Sequence, residues 1–91
     1  MNKKEREGKL RQEINDGQKA QMLKDHPFLK EFYEIERAEI MKRLSDHVIN
    51  RDSEHELVLY AKALTRLEKT LNKRIERGSA ARTKLDILLK R

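Results

Sequence analysis

Three histidines and a group of glutamates are the residues whose types could first suggest a chemical site. His47 and His55 flank a predicted loop, where Asp46 or Asp52 could join them in a metal site of histidine and carboxylate ligands. No recognised ligand spacing supports such a site, and histidines near helix ends are common on protein surfaces. We therefore expect no bound metal and no other cofactor.

The glutamates of a predicted helix, Glu31, Glu34, Glu36 and Glu39, could in principle form acid–base pairs. Their spacing is instead typical of a solvated helix face on which carboxylates pair with cations four residues away. The chain has no cysteine, which excludes disulfides and thiol catalysis, and no phosphate-binding glycine loop is present. We expect a protein that is not an enzyme and assign no catalytic residue.

The last third of the chain carries the clearest charge signal. Residues 62–91 contain 10 Lys or Arg against 3 Asp or Glu, whereas residues 1–61 contain 12 against 13. A basic stretch of this kind could track phosphates without reading a base sequence, or it could be a solvated helix face. The candidate contacts to nucleic acid or to an acidic partner are Lys62, Arg66, Lys69, Lys73, Arg74, Arg77, Arg82 and Lys84.

Most of these cations lie on the clearest element of the sequence, a helix predicted from Ser53 to Gly78. Ser53 and Glu56 have the spacing of a capping box, and Gly78 is the kind of residue that commonly ends a helix. After Gly78, Ser79 could cap a short terminal helix that folds back or continues through a kink. Apolar residues recur at three- and four-residue steps, as in a coiled coil: Leu57, Tyr60, Ala61, Leu64, Leu67, Leu71 and Ile75.

A second long helix is predicted from Pro27 to residue 48 or 49. Pro27 suits the first position of a helix, with Asp25 or His26 near the N-cap. The short connection over residues 50–52 predicts that the two long helices are antiparallel neighbours. The aromatic residues at the start of this helix are expected to form the centre of packing: Phe28, Phe32 and Tyr33.

The N-terminal residues carry a weaker signal. Gly8 and Gly17 each weaken a helix by about 1 kcal/mol relative to alanine, so we expect residues 1–17 to be a charged segment that is frayed or stabilised by a partner. Residues 18–91 then form a helical hairpin domain, with a short helix over 18–25 and a short C-terminal helix.

The predicted fold class is all-α. We expect an antiparallel αα-hairpin of two long helices with shorter flanking helices, completed by oligomerisation because so short and charged a chain has little core. The predicted core or oligomer face comprises Leu29, Phe32, Ile40, Leu44, Leu57, Leu64, Leu67, Leu71 and Ile75.

Residues 20–86 carry a family resemblance in four loose motifs: Met22-Leu-Lys-Asp-His-Pro-Phe28, the charged hairpin around Arg51-Asp52, Arg66-Leu-Glu68, and Gly78-x-x-Ala81-x-x-x-Leu85. They resemble small helical proteins of tailed bacteriophages. Such proteins often have a tryptophan near the end of the second helix, and this chain has none. The resemblance implies a non-enzymatic accessory or assembly factor, and it carries over no functional residues.

Three functions follow from these patterns. The leading hypothesis is a homo-oligomeric assembly or adaptor protein that binds itself and a protein partner by helix packing. The alternatives are a nucleic-acid-binding accessory, such as a small DNA-packaging subunit, and an inhibitor that docks on a host enzyme.

Because no apolar run approaches about 18 residues and no signal peptide is recognisable, we expect no membrane contact and a cytoplasmic location, or the virion if the chain is phage-encoded.

Overall fold

The computed structural model describes residues 1–90, almost all of which are helical. Its three helices are α1 (Lys3–Asp25), α2 (Pro27–Leu44) and α3 (Arg51–Leu89). No strand occurs in this part of the chain, so the prediction of an all-α protein is confirmed. Over the same residues, no helix is both long enough and apolar enough to cross a membrane.

Helix α1 begins at an asparagine cap and runs without a break through both of its glycines. The side-chain oxygen of Asn2 accepts a hydrogen bond from the Glu5 backbone N–H at 2.8 Å, and the Asn2 amide donates to the Glu5 carboxylate at 3.3 Å. The structure therefore shows one helix over Lys3–Asp25, where we had expected a separate short helix over residues 18–25. Continuity is favoured because Gly17 is buried against Gly78 of α3, which offsets the weak helix propensity of glycine.

Helix α2 starts as expected and ends earlier. Pro27 occupies the first turn, and His26 is the N-cap, its Nδ1 accepting from the Phe28 backbone N–H at 3.1 Å. The helix ends at Leu44, not at residue 48 or 49. Local hydrogen bonds compete with further helix there, since the Ser45 hydroxyl donates to the Met41 carbonyl and the Asp46 carboxylate accepts from the Val48 N–H.

Two predictions about the last long helix are wrong. Its N-cap is Asn50, whose side chain accepts from the Ser53 backbone N–H at 2.8 Å, so Ser53 lies inside the first turn of α3. Gly78 does not end the helix, which continues to Leu89. No glycine among residues 1–90 has a positive φ. Gly78 is buried where α3 contacts α1, which explains why a glycine occurs there although the helix does not end. Ser79 is likewise a helix-interior residue.

Residues cluster into two compact units. The first comprises Met1–Lys24 with α3 from Thr70 onward, and the second comprises Asp25–Lys69. This grouping pairs the N-terminal segment with the C-terminal part of α3. The first unit buries Ala20, Ala81 and Leu85. These are small or medium side chains, which allow α1 and α3 to approach closely.

The second unit is built around Ile40 of α2 and Leu64 of α3, which are 4% and 3% exposed. Of the predicted core or oligomer face, Leu29, Leu44, Leu57, Leu71 and Ile75 are half-buried. The other two members of that face, Phe32 and Leu67, are exposed.

The expected aromatic centre of packing is wrong, because Phe28 is 69% exposed and Phe32 is 36% exposed. The α2 side chains with least exposure recur at positions 29, 33, 36, 40 and 44. At about 100° per residue, this face excludes positions 28, 32 and 35.

Candidate functional site

The side chains that could suggest metal chemistry, His47, His55, Asp46 and Asp52, are all exposed. Within residues 1–90, no three side chains of the ligating types lie close enough to hold a metal ion. The Asp46 carboxylate instead accepts from the Val48 N–H. Glu39 pairs with Arg43 four residues away at 3.3 Å, as expected for a solvated helix face.

Glu36 has a structural contact across the second unit. The Tyr60 hydroxyl donates a hydrogen bond to Glu36 Oε2 at 3.1 Å. Partial removal of solvent from the Tyr60 ring, and then this hydrogen bond to a carboxylate, raise the pKa of Tyr60 above its ordinary value. Both effects favour the neutral phenol over the phenolate. The contact therefore links α2 to α3.

A second polar contact in this unit was not predicted. Arg37 of α2 forms an ion pair with Glu68 of α3, with Nη2 and Oε1 2.7 Å apart. Its guanidinium carbon also lies 5.6 Å from the centre of the Tyr33 ring, and the Tyr33 and Phe32 rings meet edge to face. The hydrogen bond to Glu68 raises the pKa of Arg37, and the ion pair joins α2 to α3 within the second unit.

Gly17 of α1 and Gly78 of α3 form a close helix contact. A Cβ atom on Gly17 would lie 2.9 Å from Gly78 Cα and 3.0 Å from the Arg74 carbonyl oxygen. A Cβ atom on Gly78 would meet Gly17 Cα at 2.9 Å and the Glu13 carbonyl oxygen at 3.1 Å. Around Gly8, by contrast, there is nothing within 4 Å. Each paired glycine therefore provides space for the backbone of the other helix.

The sequence contains a signal for this contact, namely the position of each glycine relative to the apolar residues of its own helix. Gly17 follows Ile14 by three residues, and Gly78 follows Ile75 by three, so each glycine is in phase with half-buried apolar residues of its own helix. A glycine on the apolar face of a helix indicates close backbone approach. Likewise, Asn2 and Glu5 have the spacing of a helix cap, which predicts the start of α1.

The basic candidates all lie on α3, and all are exposed: Lys62, Arg66, Lys69, Lys73, Arg74, Arg77, Arg82 and Lys84. Some of these cations border different grooves. Lys62, Arg66 and Lys69 border a shallow groove beside Leu44 and Val58 in the second unit.

In the first unit, Arg82 borders the groove beside Gly17 and Gly78. Lys84 borders another groove together with Arg6 and Lys9 of α1. The involvement of these α1 cations was not predicted, because residues 1–17 contain 5 Lys or Arg against 4 Asp or Glu, an excess of only one charge.

Exposed apolar side chains are the other prominent feature of the surface. On α2, Phe28 and Ile35 are 69% and 57% exposed, and on α3 Leu67 is 56% exposed. Phe28, Phe32 and Ile35 follow i, i+4, i+7 spacing, which places them on one side of the helix. A row of large apolar side chains facing water is typical of an interaction surface.

No family model, curated protein or solved structure matches this chain.

Proposed function

We propose that this chain is a non-enzymatic helical assembly or adaptor protein that works by binding copies of itself and a protein partner. In this proposal, α2 and the first part of α3 form an antiparallel αα-hairpin whose core is completed by oligomerisation. The observation that carries the proposal is the row Phe28, Phe32 and Ile35 on the solvent side of α2.

The small core supports self-association. Only five apolar side chains are buried among residues 1–90, and two of them are alanines. Burial contributes about 25 cal/mol per Å² of apolar surface, while ordering the chain costs about 1–2 kcal/mol per residue. A pair of helices with so few buried side chains gains stability if its exposed apolar residues are covered by another molecule.

Sedimentation equilibrium across a range of protein concentrations tests the proposal. We expect a weight-average mass above the 10.9 kDa of one chain at tens of micromolar. A species that stays monomeric at these concentrations and unfolds cooperatively would contradict self-association. A pull-down experiment then tests whether the same row binds a protein partner. It compares the wild-type chain as bait with the Phe28→Asp/Ile35→Asp variant as bait.

The resemblance to small tailed-phage proteins extends the proposal to a role in virion assembly. A protein acting there would work in the host cytoplasm or in the virion. Co-purification of the chain with assembling virion components supports this extension, and its absence from both particles and assembly intermediates opposes it.

A second candidate function is binding to nucleic acid, and the eight candidate cations from Lys62 to Lys84, all exposed on α3, favour it. Fluorescence anisotropy with a duplex DNA probe, titrated at several salt concentrations, tests this candidate. Each phosphate contact that is lost should reduce the slope of log K against log salt by about 0.9. We expect this negative slope to become shallower when four α3 cations are changed to glutamine: Lys69, Lys73, Arg74 and Arg77.

The matched control removes the same number of charges from α1 and α2, at the exposed positions Lys19, Lys24, Lys30 and Lys42. If this control variant and the α3 variant weaken binding equally, the effect reflects net charge and not a surface on α3. Absence of binding even at low salt would exclude this candidate.

A further inference from the structure

We infer that copies of this chain associate head to tail, with the exposed row of α2 from one copy lying in a basic groove of the first unit of the next. This inference rests on the proposed self-association and specifies its surfaces. The α2 stripe is defined as Phe28, Glu31, Phe32 and Ile35. The basic groove is defined by Arg6, Lys9, Leu10, Lys84, Ile87 and Leu88.

The basic groove lies between α1 and the last turns of α3 and has a volume of about 400 Å³. Leu10 and Leu88 are half-buried in it, and Ile87 is 52% exposed. Met1 and Glu13 also border the groove. Apolar side chains flanked by Arg6, Lys9 and Lys84 form a surface that suits an apolar helix face carrying acidic residues.

The cations of the basic groove are free to pair with another molecule. Within residues 1–90, no carboxylate forms an ion pair with Arg6, Lys9 or Lys84. Glu13 is the single acidic side chain that borders the groove, against three cations. Among the described residues, the border of the groove therefore has a positive balance.

The α2 stripe has the complementary character. Residues 27–39 contain four glutamates against Lys30 and Arg37, and Arg37 is already paired with Glu68. Glu31 falls between Phe28 and Ile35 on the same side of the helix, is exposed, and has no partner within the described chain. An acidic and apolar helix face is thus available on every copy.

The two surfaces also agree in length. Phe28 and Ile35 are seven residues apart on α2, and Arg6 and Glu13 are seven residues apart on α1, a rise of about 10 Å in each case. Pairing two α2 stripes with each other would instead bring the Glu31 carboxylates of two copies together, which is unfavourable. Charge complementarity therefore favours binding of the α2 stripe to the basic groove of another copy. Because the two surfaces differ, such an interface produces rings or open chains.

Two double variants of the full chain separate these arrangements. Phe28→Asp/Ile35→Asp removes the stripe and keeps the groove, while Lys84→Glu/Ile87→Asp removes the groove and keeps the stripe. We expect each variant alone to associate at least about tenfold more weakly than the wild type, because a buried carboxylate in an apolar contact is costly. An equimolar mixture should form a one-to-one complex that grows no further, since only one competent stripe and one competent groove remain.

Sedimentation velocity reads out all of these species, and circular dichroism checks that each variant is helical. Met41→Glu is the matched control, because Met41 is exposed on α2 but lies outside the stripe, and it should assemble like the wild type. If either double variant loses helicity, the single reversals Glu31→Lys and Lys84→Glu repeat the test, with the mixture expected to associate more tightly than either variant alone.

The outcomes separate this inference from the proposed function. A groove variant that still forms dimers, or a mixture that forms no complex, overturns the head-to-tail interface while leaving self-association in place. A wild-type chain that is itself monomeric overturns the proposed function and the interface together.

Discussion

Replacing Gly17 with alanine is the sharpest perturbation of the fold. The added Cβ would lie 2.9 Å from Gly78 Cα and 3.0 Å from the Arg74 carbonyl oxygen, where ordinary contacts are about 3.4–4 Å. Neither obstacle is a flexible side-chain end, so α1 and α3 must separate and loosen the contacts of the buried Ala20. Overpacking of this kind costs about 1–3 kcal/mol, against a gain of about 1 kcal/mol in helix propensity.

We therefore expect Gly17→Ala to lower the free energy of unfolding by up to roughly 2 kcal/mol. Gly8→Ala is the matched control on the same helix, since nothing lies within 4 Å of a Cβ there, and it should stabilise by up to about 1 kcal/mol. Urea unfolding followed by circular dichroism, at one fixed protein concentration, measures both. If Gly17→Ala stabilises as much as Gly8→Ala does, the close approach of Gly17 to Gly78 is refuted.

Two further predictions concern the helix cap and pH. Asn50→Ala should destabilise by about 1 kcal/mol because it removes the cap of α3, whereas Ser53→Ala should change stability by less than about 0.5 kcal/mol; equal effects in thermal unfolding would contradict the Asn50 cap. In a Tyr33→Phe variant, Tyr60 is the remaining tyrosine, and a tyrosinate absorbance titration should give a pKa above the ordinary value. Glu36→Gln should lower that pKa partway, and an unchanged pKa would contradict the hydrogen bond. Since the folded state binds this proton more tightly, the stability that Tyr60 contributes is complete below the unfolded-state pKa and is lost as pH rises through the folded-state pKa.

The helical class and the start of α2 could be predicted because they depend on local signals. Apolar residues at three- and four-residue steps report a helix wherever they occur, and Pro27 fixes a backbone angle suited to a first helical position. These signals act within one or two turns, so they do not depend on what the helix packs against.

The role of Gly78 could not be read from its own neighbourhood. A glycine after a helical pattern is typical of a helix end, and the same residue also permits close backbone contact. The contact with Gly17, which is distant in the sequence, decides between these two roles of Gly78. Gly17 itself was treated only as a residue that lowers the helix propensity of α1. Asn50 posed a similar choice, because Asn50 and Ser53 are both good caps.

The candidate surfaces were only partly predictable for the same reason. The cations of α3 could be recognised from composition, but Arg6 and Lys9 acquire their significance only when α1 lies beside Lys84. Phe28 and Phe32 were expected at the centre of packing because they are apolar, but residue type alone does not say which side of a helix is covered.

Thermal unfolding as a function of protein concentration tests most directly the claim that a second copy completes this fold. For a dimer, a roughly hundredfold increase in concentration adds about 2.7 kcal/mol of stability per dimer, which corresponds to a rise in Tm of roughly 5–10 °C. We predict a rise of this size in wild type and a much smaller one in Phe28→Asp/Ile35→Asp. A wild-type Tm that is independent of protein concentration would contradict self-association as the basis of this protein's stability and function.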